Sequence, residues 1–313
     1  MRRKVKAITV VVVFCILAMC FAGCNGNIPQ GKEDSTYNIV CTFFAQYDWI
    51  KNITDEADNI NVSLLCENEA DLHSYQMTAK DMLNISSCDL LVVIGGESDK
   101  WATDAAKASG VKVVSLIELA EINTHEYLHE EDHDEHLHND EHVWLSAKKA
   151  KDIVCKLADI ICRELEDDSI TKQAEKYIEK LEELDVKYEQ VCSKGKNVMV
   201  VADRFPFAHM AEDYNIECFA AFPGCSADSA ASFETVIELA GVVDENDLKY
   251  VIVTENSDKK IAQAVINSTR QKKVDILVLN SMQSLTKKDI EGTAGYLDIM
   301  EKNLKALSSA FES

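Results

Sequence analysis

Short apolar segments alternate with segments of helical pattern over most of this chain, and this alternation limits the possible folds more than any other feature. From Tyr37, the strand candidates YNIVCTF, INVSLLC, DLLVVIGG and VKVVSL are separated by helix candidates. Strands that alternate with helices of about 10–15 residues form parallel βαβ units. The segment 37–145 is therefore predicted to be an N-terminal α/β lobe.

The same alternation resumes after a long helical zone, residues 146–194. In the second helix of this zone, which begins at Ser169, apolar residues recur every three or four positions on one face. At ~1.5 Å per residue this helix would be roughly 35 Å long, which suits a rigid strut. The strand candidates NVMVVA, IECFAAF, KYVIVTE and VDILVLN then indicate a C-terminal α/β lobe over 195–313. The predicted fold class is α/β: two Rossmann-like lobes with parallel sheets, joined by one long rigid helix, with a ligand cleft between the lobes.

The beginning of the chain has the layout of an export signal. MRRKVK is basic, AITVVVVFCILAMCF is apolar but short for a membrane span, and FAGC resembles the cleavage box of bacterial lipoproteins. Residues 1–23 are therefore predicted to be a lipoprotein signal peptide, with Cys24 as the lipidated residue and 24–36 as a polar tether. The alternative is a single uncleaved anchor. In both cases the protein would lie outside the cytoplasm, anchored to the cell membrane.

The charge of the chain excludes some classes of partner. It has 32 basic and 54 acidic residues, a formal net charge of −22 at pH 7. Such a field repels nucleic acid and attracts cations, so no nucleic-acid partner is expected. The sequence also contains no H-E-x-x-H string, nucleophile elbow or phosphate-binding glycine loop, and nothing in it indicates an enzyme.

A loop rich in histidine and acidic residues, 125–141, follows the last strand of the first lobe. Together with His142 just beyond it, this loop contains six of the chain's eight histidines. Because the loop has no apolar periodicity, it is predicted to be disordered without metal. Its histidines are interpreted as a mobile collector of metal ions: His125, His129, His133, His136 and His138. Two alternatives stay open, namely a loop that only solubilises the protein and a loop that supplies a ligand directly.

Two histidines stand where loops meet the predicted secondary structure. His73 lies between the second strand and the next helix, and His142 ends the acidic loop just before a helix. Trp144 and Leu145, if buried, would hold the imidazole of His142 in place. Each histidine alone is more commonly a solvated or packed side chain. Both are nevertheless candidate metal ligands, since neutral imidazole is a common ligand in proteins.

Several long strings resemble one protein family. ADLHSYQMTAKDM, CDLLVVIGGESDKW and DEHVWLS, with the histidine-rich loop between the last two, are similar to the zinc- and manganese-binding lipoproteins that supply metal ABC importers. In the second half, DRFPF, AAFPGCSADSAASFETVIELA and VTENSDKKIA resemble a clostridial-type branch of that family. The resemblance runs from about Tyr37 to the C-terminus. It implies two α/β lobes, a rigid connecting helix and a metal held in the cleft between the lobes.

The resemblance implies metal ligands at only two of the four positions that the family uses. DLHSY and DEHVWLS place the first two histidine ligands at His73 and His142. The third position, aligned on DRFPF, is occupied by Ala202, which has no donor atom in its side chain. The fourth, an Asp at the end of the last strand in many relatives, is Asn280. The family pattern therefore does not define the inner geometry of this site.

Three residues of the second half could replace the missing ligands. Asp203 ranks first because it is next to the lost position at a strand end, and Glu255, at another strand end, ranks second. His209 ranks third because it is predicted to lie within the following helix, where a partly buried structural histidine is the alternative. One or two histidines of the loop could also complete the set.

Two histidines beside a histidine-dense loop favour zinc, which prefers nitrogen and sulfur ligands, over manganese, which prefers oxygen. The expected function is that of a monomeric substrate-binding lipoprotein that captures Zn(II) and delivers it to the membrane permease of an ABC transporter. A manganese or iron carrier on the same scaffold is the first alternative. The others are a zinc-dependent hydrolase, with Glu255 or Asp203 as general base, and a surface adhesin.

Overall fold

The computed structural model describes most of the chain from Thr36 onward. The described residues are 36–66, 72–122, 140–194, 197–222, 231–271, 273–292 and 295–312. The predicted signal peptide, Cys24, nearly all of the tether and the five collector histidines lie outside them, so these assignments stay predictions. Within the described part, no helix has the length and apolar character needed to cross a membrane.

The first sheet is built from the first four strand candidates. Its strands are β1 (Tyr37–Cys41), β2 (Ile60–Leu64), β3 (Leu90–Val93) and β4 (Lys112–Ser115), and they pair in parallel in the order β2-β1-β3-β4. Four helices accompany them: α1 (Phe44–Ile53), α2 (Ala79–Ser87), α3 (Lys100–Ser109) and α4 (Leu116–Leu119). Alternate residues of β3 pack into two separate clusters, which explains its continuous apolar sequence.

Two long helices follow, α5 (Ala147–Leu165) and α6 (Asp168–Cys192). The hydroxyl of Ser146 caps α5 by accepting a hydrogen bond from the backbone of Lys149 at 3.1 Å, as predicted. Helix α6 begins at Asp168, one residue before the predicted start at Ser169. Its cap is Asp167, whose carboxylate accepts a hydrogen bond from the backbone of Ser169 at 2.8 Å.

The second sheet repeats the topology of the first. Its strands are β5 (Val198–Arg204), β6 (Glu217–Phe222), β7 (Tyr250–Thr254) and β8 (Asp275–Leu279), in the parallel order β6-β5-β7-β8. The accompanying helices are α7 (Ala208–Asp213), α8 (Phe233–Glu245), α9 (Lys260–Ser268), α10 (Lys287–Glu291) and α11 (Tyr296–Phe311). In both sheets the strand order reverses beside the first strand, so each sheet has a crevice at the carboxyl ends of its strands.

Helix α6 and the last helix, α11, connect the two lobes. From α6, the Tyr177 hydroxyl donates to Asp48 of α1 at 3.3 Å, and the Tyr188 hydroxyl donates to the carbonyl of Met300 in α11 at 2.8 Å. The hydroxyl of Tyr296 in α11 reaches the carbonyl of Trp144 at 2.6 Å. The predicted fold class is confirmed, with the addition that α11 returns to the first half and packs on α1 as well.

Candidate metal site

His73 lies in a short 3-10 turn, Leu72–Ser74, that follows β2 at the carboxyl edge of the first sheet. Its Nδ1 is 2.7 Å from the hydroxyl of Ser98 and 3.2 Å from a carboxylate oxygen of Glu141. The Ser98 hydroxyl donates in turn to Glu141. We therefore assign the ring proton of His73 to Nδ1, which leaves the lone pair on Nε2 available for a ligand.

His142 precedes a second 3-10 turn, Val143–Leu145, and is only 3% exposed. Its Nδ1 is 2.6 Å from the Asp140 carboxylate, while Trp144 packs against its ring with centroids 5.0 Å apart. Burial raises the pKa of the Asp140 carboxyl, but the adjacent imidazoles of His142 and His209 outweigh it and bring the pKa below its usual value. An ionised Asp140 holds the proton of His142 on Nδ1, so here too Nε2 is the acceptor.

The two imidazoles face each other through these acceptor nitrogens. Nε2 of His73 and Nε2 of His142 are 3.3 Å apart. With zinc–nitrogen bonds of about 2.0–2.1 Å, two ligands of a tetrahedral zinc ion are separated by roughly 3.3–3.4 Å. The two nitrogens therefore have the spacing of two corners of a zinc coordination tetrahedron, and each ring already donates its other nitrogen toward a carboxylate.

Gln283, which follows β8 in the second lobe, is the third side chain at this point. Its Nε2 is 3.3 Å from Nε2 of His73 and in close contact with Nε2 of His142. Because the oxygen and nitrogen of a carboxamide can be exchanged by a flip, the same position can present the oxygen as a metal ligand. Gln283 was not among the predicted ligands, although it lies three residues beyond Asn280, where the family pattern places a ligand.

Two consecutive glycines allow the first lobe to close around His73. Gly95 has a φ of +94°, and a Cβ there would overlap the side chain of Ser115. A Cβ on Gly96 would overlap the carboxylate of Glu141. Gly96 therefore gives Glu141 the space to reach Ser98, while Gly95 allows the close approach of Ser115.

Asp203 and Glu255 stand in the wall of a cavity beside this group. The Asp203 carboxylate accepts from the backbone of Arg204 at 2.8 Å and from the backbone and hydroxyl of Thr254 at 3.2 and 2.9 Å. Glu255 accepts from the backbone and hydroxyl of Ser281 at 2.8 and 2.9 Å, and burial raises the pKa of its carboxyl. Neither carboxylate is brought into contact with the two imidazoles, and both are fixed by backbone and hydroxyl donors of the second lobe.

His209 is placed behind the pair and not beside it. It lies in α7, is 2% exposed, and its Nε2 is 2.9 Å from the carbonyl of Asp140. Because Nε2 donates to that carbonyl, it cannot bind an ion at the same time. His209 therefore supports the segment that carries His142. Ala202 is buried in the core of the second lobe, and the side chain of Asn280 accepts from the backbone of Met282 at 2.7 Å.

The described residues thus offer two imidazoles and one carboxamide at a single point. Within the described part of the chain, no group of three or more His, Cys, Asp and Glu side chains is arranged to hold a metal ion.

Comparison with known proteins agrees with this architecture. The chain is similar to the zinc-binding lipoprotein AdcA of Streptococcus pneumoniae (strain ATCC BAA-255 / R6), with 30% identity over 302 residues that cover 93% of this chain and 58% of AdcA. It is similar to the high-affinity zinc uptake system protein ZnuA of Bacillus subtilis (strain 168), with 28% identity, over 94% of this chain and 96% of that protein. The chain spans 58% of the length of AdcA.

A solved structure has the same fold. The crystal structure of the Zn(II)-bound ZnuA-like domain of Streptococcus pneumoniae AdcA matches with a TM-score of 0.71 and 27% identity, over 89% of this chain and all of that one. These relatives are streptococcal and bacillar, and the clostridial-type branch stays a prediction. The family described as "ZnuA: Zinc-uptake complex component A periplasmic" matches over residues 39–310, and the chain therefore belongs to the ZnuA family.

Proposed function

We propose that this protein captures Zn(II) outside the cytoplasm and delivers it to the permease of an ABC importer. The observation that carries the proposal is the pair of acceptor nitrogens, Nε2 of His73 and Nε2 of His142, facing each other at 3.3 Å. Two such lone pairs at this distance repel unless a proton, a hydrogen-bond donor or a cation lies between them. A divalent ion that prefers nitrogen ligands satisfies both at once.

The surroundings of the pair support a metal ion better than a proton. Each imidazole uses Nδ1 toward a carboxylate, directly to Asp140 for His142 and to Ser98 and Glu141 for His73. Such outer partners fix the tautomer and orientation of a metal-binding histidine and increase its basicity. In this structure the Gln283 carboxamide contacts both acceptor nitrogens. A metal ion would take the place of its N–H donors, and the amide oxygen would turn toward the ion.

Zinc is favoured over manganese by the chemistry of these donors. Two of the three are imidazole nitrogens, whereas manganese sites are rich in oxygen. The names of AdcA and ZnuA among the relatives also specify zinc. Both histidines belong to the first lobe and Gln283 belongs to the second, so a bound ion would tie the lobes together across the cleft.

The remaining parts of the proposal concern location and delivery. Lipidation at Cys24 would hold a monomer at the membrane, close to the permease, and the histidines of loop 125–141 would collect ions for the cleft. The carrier role needs no catalytic base. Asp203 and Glu255, the two bases that a zinc hydrolase could use, accept hydrogen bonds from their own lobe, which favours a carrier.

Zinc affinity measured by competition with a chromogenic chelator tests the proposal. His73→Ala and His142→Ala should each weaken zinc binding by more than the roughly 10–100-fold typical of losing an outer partner. Asn267→Ala, in the exposed last turn of α9, is the surface control and should bind as wild type does. Unchanged affinity in both histidine variants would refute the site, and displacement of zinc by equimolar manganese would refute the choice of metal.

A further inference from the structure

We infer, on the basis of the proposed function, that His209 is a positioning residue for the proposed zinc ligand His142. It lies in the second lobe and does not touch the ion, but its hydrogen bond to Asp140 keeps the imidazole of His142 in the orientation that binds zinc. The affinity for zinc would therefore depend on a bond between the lobes as well as on the ligands themselves.

The segment that carries His142 is attached to the second lobe at both of its ends. At its start, the backbone carbonyl of Asp140 accepts a hydrogen bond from Nε2 of His209 at 2.9 Å. At its end, the indole nitrogen of Trp144 donates to the backbone carbonyl of Ser281 at 3.0 Å. His142 follows the first sheet in the sequence, but the second lobe fixes the chain on both sides of it.

Asp140 connects the bond from His209 to the imidazole of His142. Its carboxylate accepts from the backbone N–H of His142 at 2.7 Å and lies 2.6 Å from Nδ1 of the ring. Asp140 is thus held through its carbonyl by the second lobe and through its carboxylate by the ligand. A shift of its backbone would displace the carboxylate that fixes the tautomer and orientation of the imidazole.

Helix α7 gives His209 a fixed position. Asp213, the last residue of the helix, accepts from the hydroxyl of Ser146, the cap of α5, at 2.6 Å. The hydroxyl of Tyr214, the next residue, donates to Asp185 of α6 at 2.8 Å. His209 therefore projects from a helix that is attached to both of the long central helices.

The polar contacts of His209 indicate a role beyond packing. Its ring is 2% exposed, and within the described part of the chain its Nδ1 has no hydrogen-bond partner, since the nearest carboxylate, that of Glu212, is 4.0 Å away. A buried polar atom without a partner costs free energy. An apolar side chain could fill this space without that cost. The bond from Nε2 to Asp140 is the contact that only a polar residue provides.

The loss of this bond should reduce zinc affinity by changing how often the ligand is correctly oriented. When only part of the molecules hold the binding-competent arrangement, the apparent dissociation constant rises in inverse proportion to that fraction. A single hydrogen bond typically shifts such an equilibrium by up to about tenfold. The expected loss is therefore smaller than the roughly 10–100-fold that follows removal of a direct partner of the ligand.

The test measures zinc affinity of the full chain, purified in detergent, by competition with a chromogenic chelator. His209→Phe keeps an aromatic ring without a donor and should weaken binding about 5–10-fold. His209→Gln places an amide N–H near the position of Nε2 and should restore binding to within ~2-fold of wild type. His209→Asn, whose amide reaches only about as far as Nδ1, should not restore it. Wild-type affinity in folded His209→Phe, or equal affinity in the Gln and Asn variants, would overturn the inference.

Tyr188→Phe is the matched control for a general loss of stability. Tyr188 is also a buried donor to a backbone carbonyl, that of Met300 at 2.8 Å, and it lies between the two long helices and the last one. Its loss should lower the unfolding temperature but leave zinc affinity unchanged. If His209→Phe does not fold, His209→Asn takes its place in this comparison. Equal losses of zinc affinity at the two positions would overturn the inference.

A double-mutant cycle tests whether His209 acts through Asp140. Asp140→Ala removes the carboxylate and leaves the backbone carbonyl, so the bond from His209 no longer leads to the imidazole. In this background His209→Phe should change zinc affinity less than ~2-fold, because interacting residues give non-additive effects. A full 5–10-fold further loss would show that His209 acts by another route and would overturn the inference.

The outcomes separate this inference from the proposed function. A wild-type protein that binds no zinc contradicts the proposed function itself. A protein that binds zinc tightly through His73 and His142, with the same affinity in folded His209→Phe, leaves the carrier role intact and overturns only the inference.

Discussion

The two lobes carry the same pair of residue types at the carboxyl edges of their sheets, in different surroundings. In the first lobe, Asp99 is 0% exposed and accepts from the Thr42 hydroxyl at 2.7 Å and from the backbone of Ile94 at 2.5 Å. In the second lobe, Asp203 accepts from the hydroxyl of Thr254 at 2.9 Å, but it is partly exposed in the wall of the cavity. The carboxylate of Asp99 is fully buried, whereas that of Asp203 faces the cavity.

This difference separates two tasks of a binding cleft. The first lobe covers its Asp99–Thr42 pair with the segments that hold Ser98 and Glu141, and these in turn orient His73. Tightly packed ligands determine which ion is bound, because their tautomers and positions are fixed before the ion arrives. The second lobe adds Gln283 and a cavity. In the proposed function the first lobe would therefore supply the prearranged imidazoles, and the second lobe would supply the carboxamide of Gln283.

Among substitutions of residues that support the two imidazoles, the largest effect on zinc affinity is expected at Asp140. Asp140→Asn removes the negative charge that holds the proton of His142 on Nδ1, and zinc affinity should fall roughly 10–100-fold. Glu255→Gln removes a charge of the second lobe that does not touch either imidazole, and should change zinc affinity less than ~3-fold, since distant charges are screened. Competition with a chromogenic chelator measures both.

Equal losses in the two variants would contradict the comparison. In that case the charge of the whole cleft, and not the orientation of His142, would control zinc affinity. Repeating both titrations at high salt distinguishes these causes, because a general field is screened by salt and a direct hydrogen bond at 2.6 Å is not.

An intermediate effect is expected at Gln283, the one side chain of the second lobe that reaches the imidazoles. Gln283→Ala should weaken zinc binding about tenfold, or about 1.4 kcal/mol, because a neutral carboxamide is a weaker ligand than imidazole. Gln283→Glu should strengthen it, since a carboxylate is a better ligand for zinc. Isothermal titration calorimetry gives both values. Wild-type affinity in Gln283→Ala would show that Gln283 is not a ligand.

Most of the fold could be predicted from the sequence because its signals are local. Each strand candidate has a continuous apolar segment. Ser146, a residue type typical of helix caps, predicts the start of α5. The return of α11 to the first half could not be predicted in this way. It depends on the contacts of Tyr296 with Asp48 and Trp144, residues 248 and 152 positions away, which leave no local pattern.

The site was predicted in part for the same reason. His73 follows a strand end and His142 precedes a helix, and the structure places them together, although their role as ligands stays a prediction. Gln283 was missed because a glutamine has no special ligand signature and its position depends on the turn after β8. His209 was ranked as a possible ligand from its residue type alone. Only the structure places its Nε2 against the carbonyl of Asp140.

The smallest effect on zinc affinity, below ~3-fold, is expected from Thr42→Val and Thr254→Val, because neither threonine contacts the imidazoles. Their effects on the free energy of unfolding are larger and test the difference between the two lobes. Thr42→Val should lower the free energy of unfolding by about 2 kcal/mol at pH 8, because it removes one donor from a buried carboxylate, which keeps only the backbone donors of Ile94 and Gly95. Thr254→Val should cost about 1 kcal/mol, because water can replace the lost donor.

Burial raises the pKa of Asp99 to about 6 in spite of the bond from Thr42, which lowers it. The folded protein therefore takes up a proton at Asp99 as the pH falls through 6, whereas the unfolded chain does so only near pH 4. Acidification to pH 5 should thus reduce the cost of Thr42→Val, since a protonated Asp99 needs that donor less. Urea unfolding at pH 8 and pH 5 measures this change, and a cost that is the same at both values, or equal for the two threonines, would mean that Asp99 is not sealed more tightly than Asp203.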